Sequence, residues 1–341
     1  MMIIVYSIFL YFFSILLIKK SIKLLSKFSL IDYPGLRSNH KLPTPKGAGI
    51  ILIPLIIIST LIILYLNKML TMNWILILSL CLFLSFVSFM DDIKSLSTSI
   101  RLLFHLIIVI SSLYLFKDDL ISHINLFINN DTGPKSSFFI ILFIFLLVSL
   151  TWIWLINLYN FMDGMDGITT VQICSVALLT NFLSLFGKIG AEYQIFGLII
   201  FTVFISFYKF NKSPAKVFLG DVGSISCGFL VGFIIVSNYL QDEIIIPFFI
   251  INMYYLLDSS ITLVFRLFQN KNIFEAHSSH FYQRIIRKGY SHKYVLDKII
   301  LLNVLLFFLA LCSTKYPIFS FLSSIIFSSL LLYFFQTRKK I

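Results

Sequence analysis

Residues 138–167 read FFIILFIFLLVSLTWIWLINLYNFMDGMDG. The first part, Phe138–Leu155, carries no charge, and a helix needs about 20 mostly apolar residues to cross a hydrocarbon core. The second part changes character: Asn157, Asn160, Asp163 and Asp166 crowd a short loop, alternating with Gly164 and Gly167. Glycine permits tight turns and close approach of backbone to a ligand. The stretch therefore predicts a membrane-spanning helix that delivers amide and acidic side chains to one membrane face. The loop holds no Lys or Arg, so its negative field calls for a cation.

The whole chain repeats this pattern. Hydrophobic residues make up 59% and charged residues 12%, where a soluble domain carries about a quarter charged residues. Eleven apolar stretches reach spanning length: Ile3–Ile18, Ile50–Leu66, Trp74–Met90, Ile100–Phe116, Phe138–Leu155, Ile168–Phe186, Tyr193–Tyr208, Ser224–Leu240, Ile244–Phe268, Ile299–Cys312 and Ile318–Phe335. The expected fold is all-α, a polytopic membrane helix bundle of about 11 transmembrane helices, forming one domain over residues 1–341. Lys19 and Lys20 follow the first apolar run rather than precede it, which favours a retained helix over a cleaved signal. Cys81, Cys174, Cys227 and Cys312 sit inside apolar runs without a CxxC pair, so packing is their expected role.

Eleven crossings place alternate connections on opposite faces. One face then receives 22 of the 27 Lys and Arg residues, and the other keeps only Lys68, Lys117, Lys135, Lys188 and Lys315. By the positive-inside rule the first face is cytoplasmic, the N-terminus outside and the C-terminus inside. The net charge of +12 is thus mainly a topological signal, with lipid head groups and nucleotide phosphates as further partners; nucleic acid is not expected.

Every polar cluster falls on that face. Asp91 and Asp92 end the third span, and two adjacent carboxylates repel unless a cation or proton compensates. They suit a divalent metal or a general base acting on phosphate, or are a solvated acidic pair. Asp221, flanked by Gly220 and Gly223, opens the eighth span; it reads as an N-cap or as a Mg²⁺ ligand, since Mg²⁺ favours a few carboxylates plus phosphate oxygens. His277 and His280 share a face if helical, and with Arg284 and Arg287 behind them they suit phosphate contact better than zinc. In the loop entering the second span, Lys41 and Thr44 precede Lys46-Gly47-Ala48-Gly49. Lys46 is read there as part of the positive-inside signal. Asp258, two turns before Arg266 inside the ninth span, is either functional or half of a structural ion pair.

Together these motifs resemble the polyprenyl-phosphate N-acetylhexosamine-1-phosphate transferase family (glycosyltransferase family 4), which also includes the phospho-MurNAc-pentapeptide translocases. The resemblance implies transfer of a HexNAc-1-phosphate from a cytoplasmic UDP-N-acetylhexosamine to a polyprenyl (undecaprenyl) phosphate, giving polyprenyl-diphosphate-HexNAc and UMP, with Mg²⁺ or Mn²⁺. It implies the bacterial cytoplasmic (inner) membrane as the location and initiation of cell-envelope polysaccharide, such as lipopolysaccharide, as the role. Carried over residue by residue, Asp91 and Asp92 match the paired aspartates where the base or nucleophile is sought. Asp221 matches a metal-ligating aspartate, with Asp163 beside it. Asn157, Asn160, Asp163 and Asp166 match the nucleotide-side loop, Lys41 and Thr44 the first cytoplasmic loop, and His277 and His280 the diphosphate-side histidines, Arg284 standing in where Ser278 replaces a common arginine. The sequence His277-Ser278-Ser279-His280 lacks the run of three histidines of the translocases, so the chain looks closer to the branch that starts O-antigen or teichoic-acid chains.

The expected mechanism has Asp221 hold Mg²⁺ on the donor diphosphate while Asp91 deprotonates the lipid phosphate for direct attack; a covalent aspartyl phosphate is the rival path. A lipid-linked sugar flippase or small-solute transporter is the alternative of another class, and would place polar groups near the midplane between broken helices. A homodimer stays open.

Overall fold

The computed structural model describes residues 2–35, 42–128, 138–272 and 277–340. Lys41 lies outside the described residues. The chain begins with α1 (Met2–Lys27), β1 (Ile31–Asp32), β2 (Thr44–Pro45), α2 (Gly49–Leu66), α3 (Met72–Lys94), α4 (Thr98–Leu115) and α5 (Lys117–Ile128). It continues with α6 (Phe138–Met162), α7 (Ile168–Leu185), α8 (Ala191–Asn211) and α9 (Asp221–Asp242). The last elements are α10 (Ile246–Ile251), α11 (Met253–Phe268), α12 (Phe281–Arg287), α13 (His292–Cys312) and α14 (Pro317–Thr337). β1 and β2 pair antiparallel, Ile31 opposite Pro45; everything else regular among the described residues is helical.

Among the described residues ten helices are long and apolar enough to cross a membrane, against the eleven expected. The difference is the ninth stretch, which breaks at Asn252 into α10 and α11, each shorter than a span. The break is stabilised by a buried polar network. Asn252 Oδ1 accepts from the Tyr159 hydroxyl at 2.7 Å and from Gln172 Nε2 at 3.0 Å. Gln172 Nε2 also donates to the Ile251 carbonyl at 2.9 Å, and Asn303 Nδ2 donates to Gln172 Oε1 at 3.1 Å. In lipid an interrupted helix persists only where neighbours satisfy its freed backbone groups, and these side chains do so. Two further departures from expectation are α13, which starts at His292 rather than Ile299, and α5, a short helix anchored by His123 Nε2 on the Leu240 carbonyl at 2.5 Å.

α9 is the centre of the bundle. Of its apolar window 89% is buried, against 17% for α1. Its sequence explains this, because small residues let other helices approach closely. A Cβ on Gly232 would stand 2.2 Å from Trp152, whose indole N–H donates to the Phe229 carbonyl at 3.0 Å, locking α6 to α9. The connections that carry the polar motifs all gather at the N-terminal end of α9.

Candidate active site

The loop after β2 runs along the segment that precedes α9. Gly47 N and Ala48 N donate to the Phe218 carbonyl at 3.2 and 3.0 Å, Gly49 N donates to the Leu219 carbonyl at 2.9 Å, and Phe218 N donates to the Pro45 carbonyl at 2.8 Å. The approach is so close that Gly220, at φ +79°, has room for no side chain: a Cβ there would lie 2.8 Å from Gly47 Cα. This pairing sets Lys46 beside the start of α9.

Lys46 Nζ sits 2.7 Å from Asp92 Oδ1 and 3.3 Å from Asp221 Oδ1. Burial would lower its pKa, but the charges of Asp221 and Asp92 outweigh it and hold the ammonium well above the ordinary lysine range. Asp92 also accepts from Asp221 N at 3.4 Å and Val222 N at 3.2 Å. It therefore caps α9 from across the fold, where free backbone N–H groups and the positive end of the helix favour an anion. Asp221 is not the cap: it is the first helical residue, after N-cap Gly220, and its carboxylate is left facing Lys46 and, at 4.0 Å, Arg101 Nη1.

Asp91 turns the other way. Its Oδ1 accepts from Leu96 N at 2.6 Å and its Oδ2 meets Arg101 Nη1 at 3.2 Å. The expected acidic pair is thus divided, with Asp92 on the Lys46–Asp221 cluster and Asp91 joined to it through Arg101.

The cluster borders a cavity of ≈ 200 Å³ that also holds Asn160, Asp163, Asp166, Gln283 and His292. Burial, together with the negative charge of Asp221 and Asp92, pushes the Asp163 carboxyl up to about 7. Asp166 behaves oppositely: burial alone would raise it, but His292 Nδ1 at 3.2 Å, Ser213 and the Ala215 N–H at 3.3 Å keep it below the usual carboxylate range.

A second cavity, of ≈ 500 Å³, opens between α4, α6, α9 and α11. Leu102, Leu150, Ile153, Trp154, Ile225 and Leu263 give it an apolar wall, and Arg101, His105, Asn157, Asn160, His277 and His280 gather as its polar residues. Asn160 borders both cavities, its Nδ2 fixed on Ser224 Oγ at 3.2 Å. Arg101 Nε, His105 Nδ1 and His280 Nε2 are buried without a hydrogen-bond partner among the described residues, which is costly unless a ligand supplies acceptors or donors.

The structure thus brings together Asn160, Asp163, Asp166 and Asp221 around one cavity, with Asp92 joined to it through Lys46, and Asn157, His277 and His280 around the other. The condition for a shared helix face is not met: His277 lies in the segment leading into α12 and His280 is the N-cap of that helix, with ring centroids 5.0 Å apart. Burial, His280 and Arg266 lower His277 to about 4. Two expected contacts are not brought to either cavity. Thr44 donates to the Leu42 carbonyl at 3.0 Å, and Arg284 is tied to the Ser279 carbonyl at 2.6 Å and to Gln336 Oε1 at 3.2 Å. Lys46 and Arg101, read from sequence as topology residues, stand inside the cluster. The glycines after Lys46 were the available signal, since they mark where that loop meets another backbone.

Residues 73–238 match the sequence profile of Glycosyl transferase family 4. The matched segment, just under half of the chain, resembles glycosyl transferase family 4. The family 4 match spans Asp91, Asp92, the Asn157–Gly167 loop and Asp221, and ends before Asp258 and His280. The chain is 27% identical over 180 residues to the phospho-N-acetylmuramoyl-pentapeptide-transferase of Francisella tularensis subsp. novicida, covering 47% of each chain. It is 25% identical over 306 residues to the enzyme of the same name from Francisella philomiragia, covering 80% of each. The match to the Francisella tularensis proteins therefore spans about half their length.

Proposed function

We propose that this protein is a family 4 transferase that moves a sugar-1-phosphate, specifically HexNAc-1-phosphate from a UDP-N-acetylhexosamine, to a polyprenyl phosphate, releasing UMP. The observation that carries the reading is the junction of two unlike cavities at Asn160. One has the apolar wall a lipid chain needs, ending in Arg101, His105 and the histidine pair; the other is small and charged. Two anions must meet in such a reaction, and preorganised charge is the main catalytic resource.

The lipid phosphate would sit at the polar end of the larger cavity, where buried nitrogens of Arg101, His105 and His280 lack hydrogen-bond partners among the described residues. The donor diphosphate would sit at the smaller one, met by Lys46. The carboxylates of Asp92, Asp163 and Asp221 suit a hard divalent cation, with Asp221 and Asp163 as its ligands in this reading. Among the described residues no three His, Cys, Asp or Glu side chains form a ready cage. Mg²⁺ does not require one, because it keeps waters and takes one or two carboxylates plus substrate oxygens. When bound, such a cation neutralises charge on the diphosphate. Replacement of a three-histidine run by His277-Ser278-Ser279-His280 supports a branch that starts cell-envelope polysaccharide chains.

The test is UMP release by detergent-purified protein given Mg²⁺, undecaprenyl phosphate and a panel of UDP-N-acetylhexosamines. Lipid-dependent release with one sugar is expected and names the donor. A folded sample that neither binds UDP-sugars nor releases UMP would overturn the reading in favour of a transporter.

A further inference from the structure

Asp258 is wholly buried in α11, and its partner is not Arg266, whose Nη2 donates to the Asn272 carbonyl at 2.5 Å. Instead the carboxylate collects donors from the segment that opens α12. Oδ1 accepts from Phe281 N at 3.1 Å and lies 3.1 Å from His280 Nδ1. Oδ2 accepts from Tyr282 N at 3.4 Å and from the Tyr254 hydroxyl at 3.3 Å. Thr262 Oγ1 completes the set at 3.4 Å.

A carboxylate so surrounded by donors acts as an acceptor, so the proton of a neutral His280 ring belongs on Nδ1. Nε2 is then the lone-pair nitrogen. It is buried and has no partner among the described residues, on a side chain 1% exposed that borders the ≈ 500 Å³ cavity. A buried ring nitrogen left in this state is an acceptor awaiting a donor. Asp91, the base expected from sequence, is engaged on both oxygens.

We propose that Asp258 is a positioning residue that holds His280 as the proton acceptor for a phosphate monoester entering the cavity. The inference rests on the reading of that cavity as the seat of the lipid phosphate. A monoester arriving with one proton passes it to Nε2: the phosphate O–H bond breaks and an N–H bond forms. The phosphate gains a negative charge, and the imidazolium is balanced by the Asp258 carboxylate behind it. The new N–H then donates to the same phosphate, which is thereby both activated and oriented.

Two measurements on the full-length protein test this. In protein isotopically labelled in its histidine ring nitrogens, with His280 resonances identified by difference from H280Q, the neutral ring should carry its proton on Nδ1. In D258N, whose amide can donate to Nδ1, the proton should move to Nε2. An Nε2-protonated ring in the wild type overturns the proposal even if D258N fails to fold, and this readout stands whether or not the protein is a transferase. In turnover assays D258N should lower kcat ~100-fold, within the range for a lost proton-transfer group, with the KM for UDP-sugar little changed. The loss should nearly vanish in an H280Q background, because residues acting as one unit are not additive. Independent, additive losses, or an unchanged kcat in D258N, would overturn it; wild-type inactivity with the expected ring state would instead count against the transferase reading alone.

Discussion

Lys46 carries the charge that keeps two carboxylates at the head of one helix, so its removal should be felt as chemistry and as structure. K46M should reduce UMP release at least ~100-fold, as expected for loss of a preorganised electrostatic group. D92N should do the same and also destabilise the protein by about 1.5–3 kcal/mol, because a charged acceptor of the Asp221 and Val222 N–H groups is lost. D91N should cost less turnover, since its contacts are with Arg101 and the Leu96 N–H; thermal melting and turnover measured side by side separate the cases. The sequence marked both aspartates equally. What it could not reveal is which of two neighbours on a helix end faces α9, because that depends on helix rotation against a partner about 130 residues away.

The close crossing before α9 sets the sharpest test among the elements. G220A should destabilise the fold by about 1–3 kcal/mol and impair turnover, since a Cβ would strike Gly47 Cα and adopt φ +79°. G187A is the control: its φ is +65° but no atom lies within 4 Å of the added carbon, so it should cost only the backbone term and leave turnover unchanged. At the break between α10 and α11, N252L should lower stability by about 1–3 kcal/mol by removing the acceptor of the Tyr159 hydroxyl and one of the two acceptors of Gln172 Nε2. Helix existence and order were legible from apolar length. The break was not, because one Asn in an apolar run of 25 residues (Ile244–Phe268) leaves average hydropathy almost unchanged. Likewise the spacing of the histidine pair left open whether they share a helix; His280 is instead the N-cap of α12, whose first N–H groups and histidine ring meet Asp258, a partner that sequence separation conceals.

For the whole molecule, acid stability reports how the loops close over the bundle. Asp166 titrates below the ordinary 3.8 in the fold. Its pairing with His292 therefore stabilises the protein above that pH, and the contribution is lost as pH falls through the depressed value. H292F should move the acid limb of the melting profile to higher pH, since burial then acts on Asp166 with less opposition; an unmoved limb would show that the pair contributes nothing. The one-sided gathering of motifs was legible from charge asymmetry, but their division between two cavities needed the packing of α4, α6, α9 and α11. The Lys46 link has a consequence for biogenesis. Its three members, Lys46, Asp92 and Asp221, are supplied by segments that emerge from the ribosome far apart in time. Two opposite charges are available early, but the backbone donors that Asp92 satisfies exist only after α9 has been inserted and has threaded between α3 and α6. The early helices must therefore wait for a late arrival to complete their polar face, and a chain truncated before residue 221 would present that unfinished face to quality-control proteases rather than a dormant enzyme.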